Sequence, residues 1–208
     1  LHPANTLSLH DALPICGALP TINAGMIDMA GASILSIEGV LNGTTNFIID
    51  DMELNGVSYE KALYKAQKLG IAEKDPSLDV EGWDTATKLI ILTNVLMNKK
   101  MTFKDVVIQG ITTLTNNDIK NALSENKKYK LIGKTIRKDG TINMSVKLEK
   151  LDKNHPLYNV DGKNKGVRYT TDTLGDLTLI GGASGVNSAA ASVLRDIINI
   201  HEGYKFIK

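Results

Sequence analysis

Five carboxylates and a lysine lie close together just before a strongly apolar stretch of the chain. The acids are Glu73, Asp75, Asp79, Glu81 and Asp84. Lys88 is followed directly by the run LIIL, which is typical of a buried helix. An ammonium group at the entrance to a core needs a carboxylate partner or loses its proton, and Asp84 lies one helical turn earlier. A lysine held in this way can exchange a proton with a bound substrate.

An exposed ion pair is the simplest alternative for Asp84 and Lys88, and it would contribute only a few tenths of a kcal/mol. A second segment favours a functional site. The strand-like run SIEGVLN is followed by Gly43, and Thr44 and Thr45 then open a predicted helix. Hydroxyl and backbone N–H groups at a helix start suit a substrate carboxylate, although a plain threonine cap is the alternative.

In this order and spacing the two segments resemble the homoserine dehydrogenase family. The family carries the patterns G-[IV]-L-N-G-T-T-N-[YF]-I and G-[YIF]-A-E-x-D-P-x-x-D-V-x-G-x-D-x-x-x-K-L, which are matched here by residues 39–48 and 70–89. The tail at residues 181–196 is similar to the family's G-x-G-A-G…T-A-x-x-V-x-x-D, with Ala183 and Ser184 in place of Gly-Ala. The resemblance covers residues 17 to about 200 and implies the family's catalytic-domain fold.

The resemblance also implies a reaction and a set of site residues. The reaction is reversible hydride transfer between L-homoserine and L-aspartate 4-semialdehyde, with NADP or NAD, in threonine, methionine and isoleucine biosynthesis. A lysine whose pKa is lowered by burial suits the proton transfer. The implied residues are Lys88 and Asp84 for catalysis, Gly43, Thr44, Glu73 and Asp79 for substrate, and Gly181 and Gly185 for cofactor. Asp75 is interpreted as a turn residue before Pro76, and Glu81 as a solvated residue.

Family members begin with a nucleotide-binding domain, whose sign is a strand followed by G-x-G-x-x-G at a helix start. No such pattern occurs in this sequence. The chain is therefore interpreted as the catalytic and dimerisation domain at residues 16–208, inactive alone and a homodimer. Residues 6–15, TLSLHDALPI, match the in-frame translation of a common DNA sequencing adaptor, so residues 1–15 are interpreted as a non-native tail. They lack the basic and apolar regions of a secretion signal.

Composition excludes several other classes of protein. The net charge of +1 gives no electrostatic case for nucleic acid or a membrane surface, and no apolar run reaches transmembrane length. Cys16 is the single cysteine, which excludes an internal disulfide and a cysteine-based zinc site and agrees with a cytoplasmic protein. His155 and His201 are far apart and are interpreted as surface residues, so no metal site is expected.

The hydrophobic pattern predicts an α+β fold, a mixed β-sheet with helices packed mainly on one face. The predicted helices cover residues 22–30, 44–54, 58–69, 79–97, a segment ending at 126, and 188–200; the strands cover 34–41 and 106–111. Hairpins are predicted at residues 130–150, around Asp139-Gly140, and at 166–182, around Leu174-Gly175.

Two alternatives from other functional classes remain open. One is a non-catalytic dimerisation or binding module. The other is a hydrolase that uses the acids of residues 73–84 on magnesium or zinc, but no histidine ligand lies nearby and Lys88 has the wrong charge for a dense metal site.

Overall fold

The computed structural model describes residues 15–182 and 185–203. A short helix α1 (Thr21–Asn23) continues into a π-helical turn at Ala24–Asp28. The later helices are α2 (Gly43–Asn55), α3 (Tyr59–Lys68), α4 (Ser77–Val80), α5 (Trp83–Met97), α6 (Asn116–Ser124) and α7 (Val186–His201), with a 3-10 turn at Phe103–Asp105. The strands are β1 (Ile34–Val40), β2 (Val106–Ile108), β3 (Lys127–Lys138), β4 (Thr141–Asp152), β5 (Lys165–Thr171) and β6 (Asp176–Gly181).

The six strands form one mixed sheet in the order β2-β4-β3-β1-β5-β6. Strand β2 is parallel to β4, and every other neighbouring pair is antiparallel. Helices and hairpins alternate without a regular βαβ unit, so the predicted α+β class is confirmed.

Both predicted hairpins are present. Asp139 and Gly140 join β3 to β4 with φ of 50° and 78°, as expected for a two-residue turn with two positive φ angles. Gly175, with φ of 73°, lies in the loop between β5 and β6. Each turn signal is local in sequence, which is why the sequence predicts it.

Helix α5 packs across the sheet and carries the residues predicted for catalysis. Its side chains Leu89 and Leu92 are fully buried. A Cβ atom on Gly133 of β3 would lie 3.1 Å from the Thr85 side chain, so a glycine at this position lets α5 approach the sheet closely. Burial of Leu89 and Leu92 fixes α5 against the sheet. Lys88, the neighbour of Leu89, is partly buried as a result.

The predicted helix over residues 79–97 is wrong in one respect, because it is divided into α4 and α5. Gly82 separates them with φ of 91°, a left-handed conformation that glycine adopts without strain. The predicted strand at 106–111 also ends early, at Ile108. Ile111 N–H donates instead to the Val80 carbonyl (2.8 Å), and a Cβ on Gly110 would lie 2.2 Å from the same oxygen. Residues 109–111 are therefore held against the break between α4 and α5.

The sheet face opposite α5 carries a second apolar cluster, formed by Val40, Ile132, Leu151, Leu157 and Val160. The segment at residues 153–164 supplies two of these residues and covers the sheet there.

Beside this cluster, Glu38 is buried against three basic side chains. Its carboxylate contacts Lys134 (2.5 Å), Arg168 (3.5 Å) and His155 (3.6 Å). The interpretation of His155 as a surface residue is therefore wrong, because its side chain is only 19% exposed.

At the N-terminal end of the described region, Ile15 packs against the main core and Cys16 is fully buried. Ile15, the last residue of the predicted tail, therefore belongs to the packed part of the chain, whereas residues 1–14 lie outside the described residues. Within the described ranges, no helix combines the length and apolarity needed to cross a membrane.

Candidate functional site

Asn42 connects the two segments that the sequence singles out. It is the N-cap of α2, where its side-chain oxygen accepts a hydrogen bond from the Thr45 backbone N–H at 2.8 Å. Its side-chain amide donates to Asp79 Oδ1 at 2.6 Å and to Asp84 Oδ2 at 2.7 Å. One residue therefore fixes the start of α2 and the orientation of two carboxylates from α4 and α5.

Lys88 completes this network. Its Nζ donates to Asp84 Oδ2 at 2.6 Å and to the Leu41 carbonyl at 3.1 Å. The Lys88 side chain is 17% exposed and that of Asp84 is 30% exposed. This geometry differs from that of an exposed surface pair, because the ammonium group also donates to the backbone carbonyl of Leu41, the residue that follows β1.

The carboxylates open into a cleft of about 560 Å³. Its lining residues are Glu73, Asp75, Leu78, Asp79, Trp83, Asp84, Thr87 and Phe103. The rings of Trp83 and Phe103 meet edge to face, with centroids 5.7 Å apart, and form an apolar wall. Four carboxylates beside an aromatic wall suit a small ligand that carries a positive charge.

Gly43 and Thr44 follow Asn42 in the first turn of α2 and are absent from the cleft lining. The Thr44 hydroxyl donates to the Ile71 carbonyl at 3.1 Å, so its proton is committed to the protein. A Cβ on Gly43 would lie 2.9 Å from the Lys163 carbonyl, which explains a glycine at this position. These two contacts hold the first turn of α2 beside the network.

A second lysine lies close to the network. Lys165, the first residue of β5, is 6% exposed, and the pKa of its ammonium group is lowered by burial and by the charge of Lys88. Burial likewise raises the pKa of the Cys16 thiol, and the Lys88 charge acts in the opposite direction. The sequence motifs do not include Lys165, although burial lowers the pKa of its ammonium group.

The predicted cofactor-binding glycines, Gly181 and Gly185, begin beside Lys165. Gly181 of β6 is paired with Lys165 of β5 in the sheet. Gly181 and Gly185 have φ of 136° and 109°, and a Cβ atom on either would meet nothing within 4 Å. Bare backbone is thus accessible there. Ala183 and Ser184, where the sequence departs from the family pattern, lie outside the described residues.

Two acids of the sequence cluster are peripheral to the network. Asp75 Oδ1 accepts the Ser77 N–H at 3.2 Å in the turn before α4, and hydrogen bonds from Ser77 lower its pKa. Glu81 is exposed and accepts the Trp83 indole N–H at 3.1 Å. Among the described residues, no three His, Cys, Asp or Glu side chains are arranged to hold a metal ion.

Sequence reasoning missed Asn42 and Lys165. The Asn42 signal was present, because asparagine three residues before Thr45 is a typical N-cap. The Lys165 signal was also available, since this residue is in phase with Val167 and Tyr169, two buried residues of a strand.

Comparison with known proteins identifies the family. The homoserine dehydrogenase family model matches residues 20–198. An NAD(+)-dependent homoserine dehydrogenase from Pseudomonas canavaninivorans is 40% identical over 189 residues, which cover 90% of this chain and 53% of that protein. The homoserine dehydrogenase of Methanocaldococcus jannaschii is 40% identical over 196 residues, covering 94% and 56%.

Solved structures agree with the sequence relatives. A homoserine dehydrogenase from Thiobacillus denitrificans superposes with a TM-score of 0.86 at 31% identity, covering 91% of this chain and 44% of that chain. A hyperthermophilic archaeal homoserine dehydrogenase mutant in complex with NADPH gives 0.78 at 28% identity, covering 95% and 56%. The chain spans about half the length of the curated relatives it matches. It belongs to the homoserine dehydrogenase family.

Proposed function

We propose that this chain forms the substrate-binding and proton-transferring part of a homoserine dehydrogenase. The reaction is the interconversion of L-homoserine and L-aspartate 4-semialdehyde with NAD or NADP. The observation that carries the proposal is the network of Asn42, Asp79, Asp84 and Lys88 at the edge of an acidic cleft. It combines a group that exchanges protons with a surface that binds an ammonium ion.

The substrate's amino group binds among the carboxylates of the cleft. Glu73 and Asp79 are its partners in this proposal, since both line the cleft and Asp79 is oriented by Asn42. The first turn of α2, at Gly43 and Thr44, lies beside the network and attracts the substrate carboxylate through the positive end of the helix.

Lys88 exchanges the proton. Reduction of the aldehyde places negative charge on its oxygen, and the Lys88 ammonium group gives that oxygen a proton. Asp84 and the Leu41 carbonyl hold the Lys88 Nζ in one position while it does so. In the oxidative direction the Lys88 amine takes the proton from the homoserine hydroxyl, and Asp84 stabilises the ammonium group that forms.

The nicotinamide cofactor, when bound, supplies or accepts the hydride. Gly181 and Gly185 are the residues of this chain that would lie against it, because their accessible backbone permits close approach. Either NAD or NADP fits the proposal, since one relative is named NAD(+)-dependent and one neighbouring structure holds NADPH.

The wider context is also part of the proposal. The reaction serves threonine, methionine and isoleucine biosynthesis in the cytoplasm, and the protein acts as a homodimer. Ile136 and Ile180, on the sheet face opposite α5, are 39% and 47% exposed and suit pairing with a second copy. A purely non-catalytic pairing module is the alternative, and it predicts a dimer that never gains activity.

The test compares this chain alone with the same chain fused behind the N-terminal part of the Methanocaldococcus jannaschii relative that it does not match, here called the joined protein. The chain alone should show little or no homoserine-dependent NAD(P)H formation, because hydride transfer requires the nicotinamide to be held about 3–3.5 Å from the reacting carbon. The joined protein should show turnover. Robust activity of the chain alone, or an inactive joined protein that is folded and binds NADPH, would contradict the proposal.

A further inference from the structure

The loop that precedes Lys165 is fixed to the start of α2. The Asn46 side-chain amide donates to the carbonyls of Val160 and Gly162, both at 2.9 Å. Strand β5 then begins at Lys165, and its second residue Gly166 pairs with Val40, the last residue of β1. Lys165 therefore lies next to the chain position whose carbonyl, that of Leu41, holds Lys88.

The side chain of Lys165 belongs to the face of the sheet that α5 covers. Alternate residues of a strand point to the same face, and Val167 and Tyr169 of β5 are fully buried in the main core with Leu89 of α5. Lys165 is in phase with them and is itself 6% exposed. Its ammonium group is thus enclosed on the side of the sheet from which Lys88 approaches.

Among the residues that the structure describes, Lys88, Asp84 and Cys16 are ionisable groups that act on Lys165 in this enclosure. Lys88 and Asp84 come from α5, and the Cys16 thiol comes from the segment before α1. Burial lowers the pKa of Lys165 most, Lys88 lowers it further, and Cys16 and Asp84 raise it. The electrostatic coupling is reciprocal, so each lysine feels the charge of the other.

We propose that Lys165 is a positioning residue for Lys88, a second ammonium group in the same enclosure that competes for the negative charge of Asp84. The inference rests on the proposed function, because it assigns Lys165 a part in proton transfer by Lys88. With Lys165 charged, the attraction of Asp84 is divided between two cations, so the interaction of Asp84 with the Lys88 ammonium group depends on Lys165. Without that charge, Asp84 holds the Lys88 ammonium group more tightly.

The coupling is measured on the 208-residue chain by NMR, with lysine ¹³C-labelled and the Lys165 Cε signal assigned through Lys165→Arg. In Lys88→Met the titration midpoint of Lys165 should rise by about 0.5–1 pH unit, because a neighbouring positive charge is removed. In Asp84→Asn it should fall by a similar amount. Lys120→Met, an exposed change on α6, is the matched control and should leave the midpoint unchanged. Midpoints within about 0.2 unit of wild type in both site variants would overturn the inference.

The joined protein supplies the functional measurement. Lys165→Met should lower kcat about tenfold and move the pH profile of kcat, whereas Lys165→Arg should restore most of both, because it keeps the positive charge. An active wild-type joined protein with an unmoved pH profile in Lys165→Met would overturn this inference alone. A folded, nucleotide-binding wild-type joined protein without turnover would overturn the proposed function as well, so the two failures are distinguishable.

Discussion

Two lysines of this molecule, Lys130 and Lys88, differ in burial and in the number of oxygens that accept hydrogen bonds from them. Lys130 is fully buried, and its Nζ lies within 3.3 Å of four oxygens. They belong to Asn46, Asp50, Val160 and Asp161. Lys88 is 17% exposed and is held by one carboxylate and one carbonyl. An ammonium group has three protons to donate, so the oxygens around Lys130 satisfy it completely, whereas Lys88 retains capacity toward a ligand.

The two environments therefore have different consequences. Lys130 fixes the loop at residues 160–164 to α2, and Asp50 assists because it also accepts the Gly162 N–H. Burial raises the pKa of Asp50, and the charge of Lys130 opposes that shift. Removing a buried lysine whose protons are all matched leaves its carboxylate partner unpaired, which destabilises the fold. A partly exposed lysine beside a cleft can take part in chemistry.

The largest expected effect on stability comes from Lys130→Met. The variant leaves Asp50 buried without its cation, so the free energy of unfolding should fall by about 3–5 kcal/mol in urea denaturation. Adding Asp50→Leu should restore part of that loss, since it removes the unpaired carboxylate. A decrease in the free energy of unfolding below about 1 kcal/mol would show that Lys130 does not have this structural role.

Replacing Asn42 separates its two roles. Asn42→Ala removes the N-cap and should lower the free energy of unfolding by about 1 kcal/mol. Asn42→Ser keeps a capping oxygen but cannot bridge Asp79 and Asp84, so its stability should stay within about 0.5 kcal/mol of wild type while kcat of the joined protein falls about tenfold. Full turnover in Asn42→Ser would show that the bridge has no part in the site.

The smallest effects are expected at Asp75 and Glu81, the peripheral acids. Asp75→Ala and Glu81→Ala remove exposed groups, so each should change the free energy of unfolding by no more than about 0.5 kcal/mol. Turnover of the joined protein should stay within about threefold of wild type, because neither side chain contacts Lys88 or Asn42. A hundredfold loss of turnover in either variant would show that this acid also belongs to the functional site.

The sequence predicts what is local. The Asp84–Lys88 pair follows from a four-residue spacing, and the first hairpin follows from Asp139-Gly140. The links of Asn42 to Asp79 and Asp84 span 37 and 42 residues, and no local pattern contains them. These hydrogen bonds form because the fold brings the start of α2 next to α4 and the start of α5.

The break at Gly82 shows a second limit. The residues on both sides continue a helical pattern, and residues 109–111, which are distant in sequence, pack against Val80 at the left-handed glycine. The family resemblance named the site residues, and their roles stay predictions until variants are measured. The contrast between Lys88 and Lys130 could not be predicted, because it depends on burial and on carbonyl partners distant in sequence.

The proposed role of Lys88 is tested by the turnover of the joined protein carrying Lys88→Met, measured together with its free energy of unfolding. We expect kcat to fall about 10²–10⁴-fold, the usual contribution of a positioned acid or base, while stability falls much less than in Lys130→Met. Asp84→Ala should also be severely impaired in turnover, because the Lys88 ammonium group loses its carboxylate partner. Near-full turnover in Lys88→Met, with stability within about half a kcal/mol of wild type, would show that Lys88 belongs to an ordinary surface ion pair and does not transfer the proton.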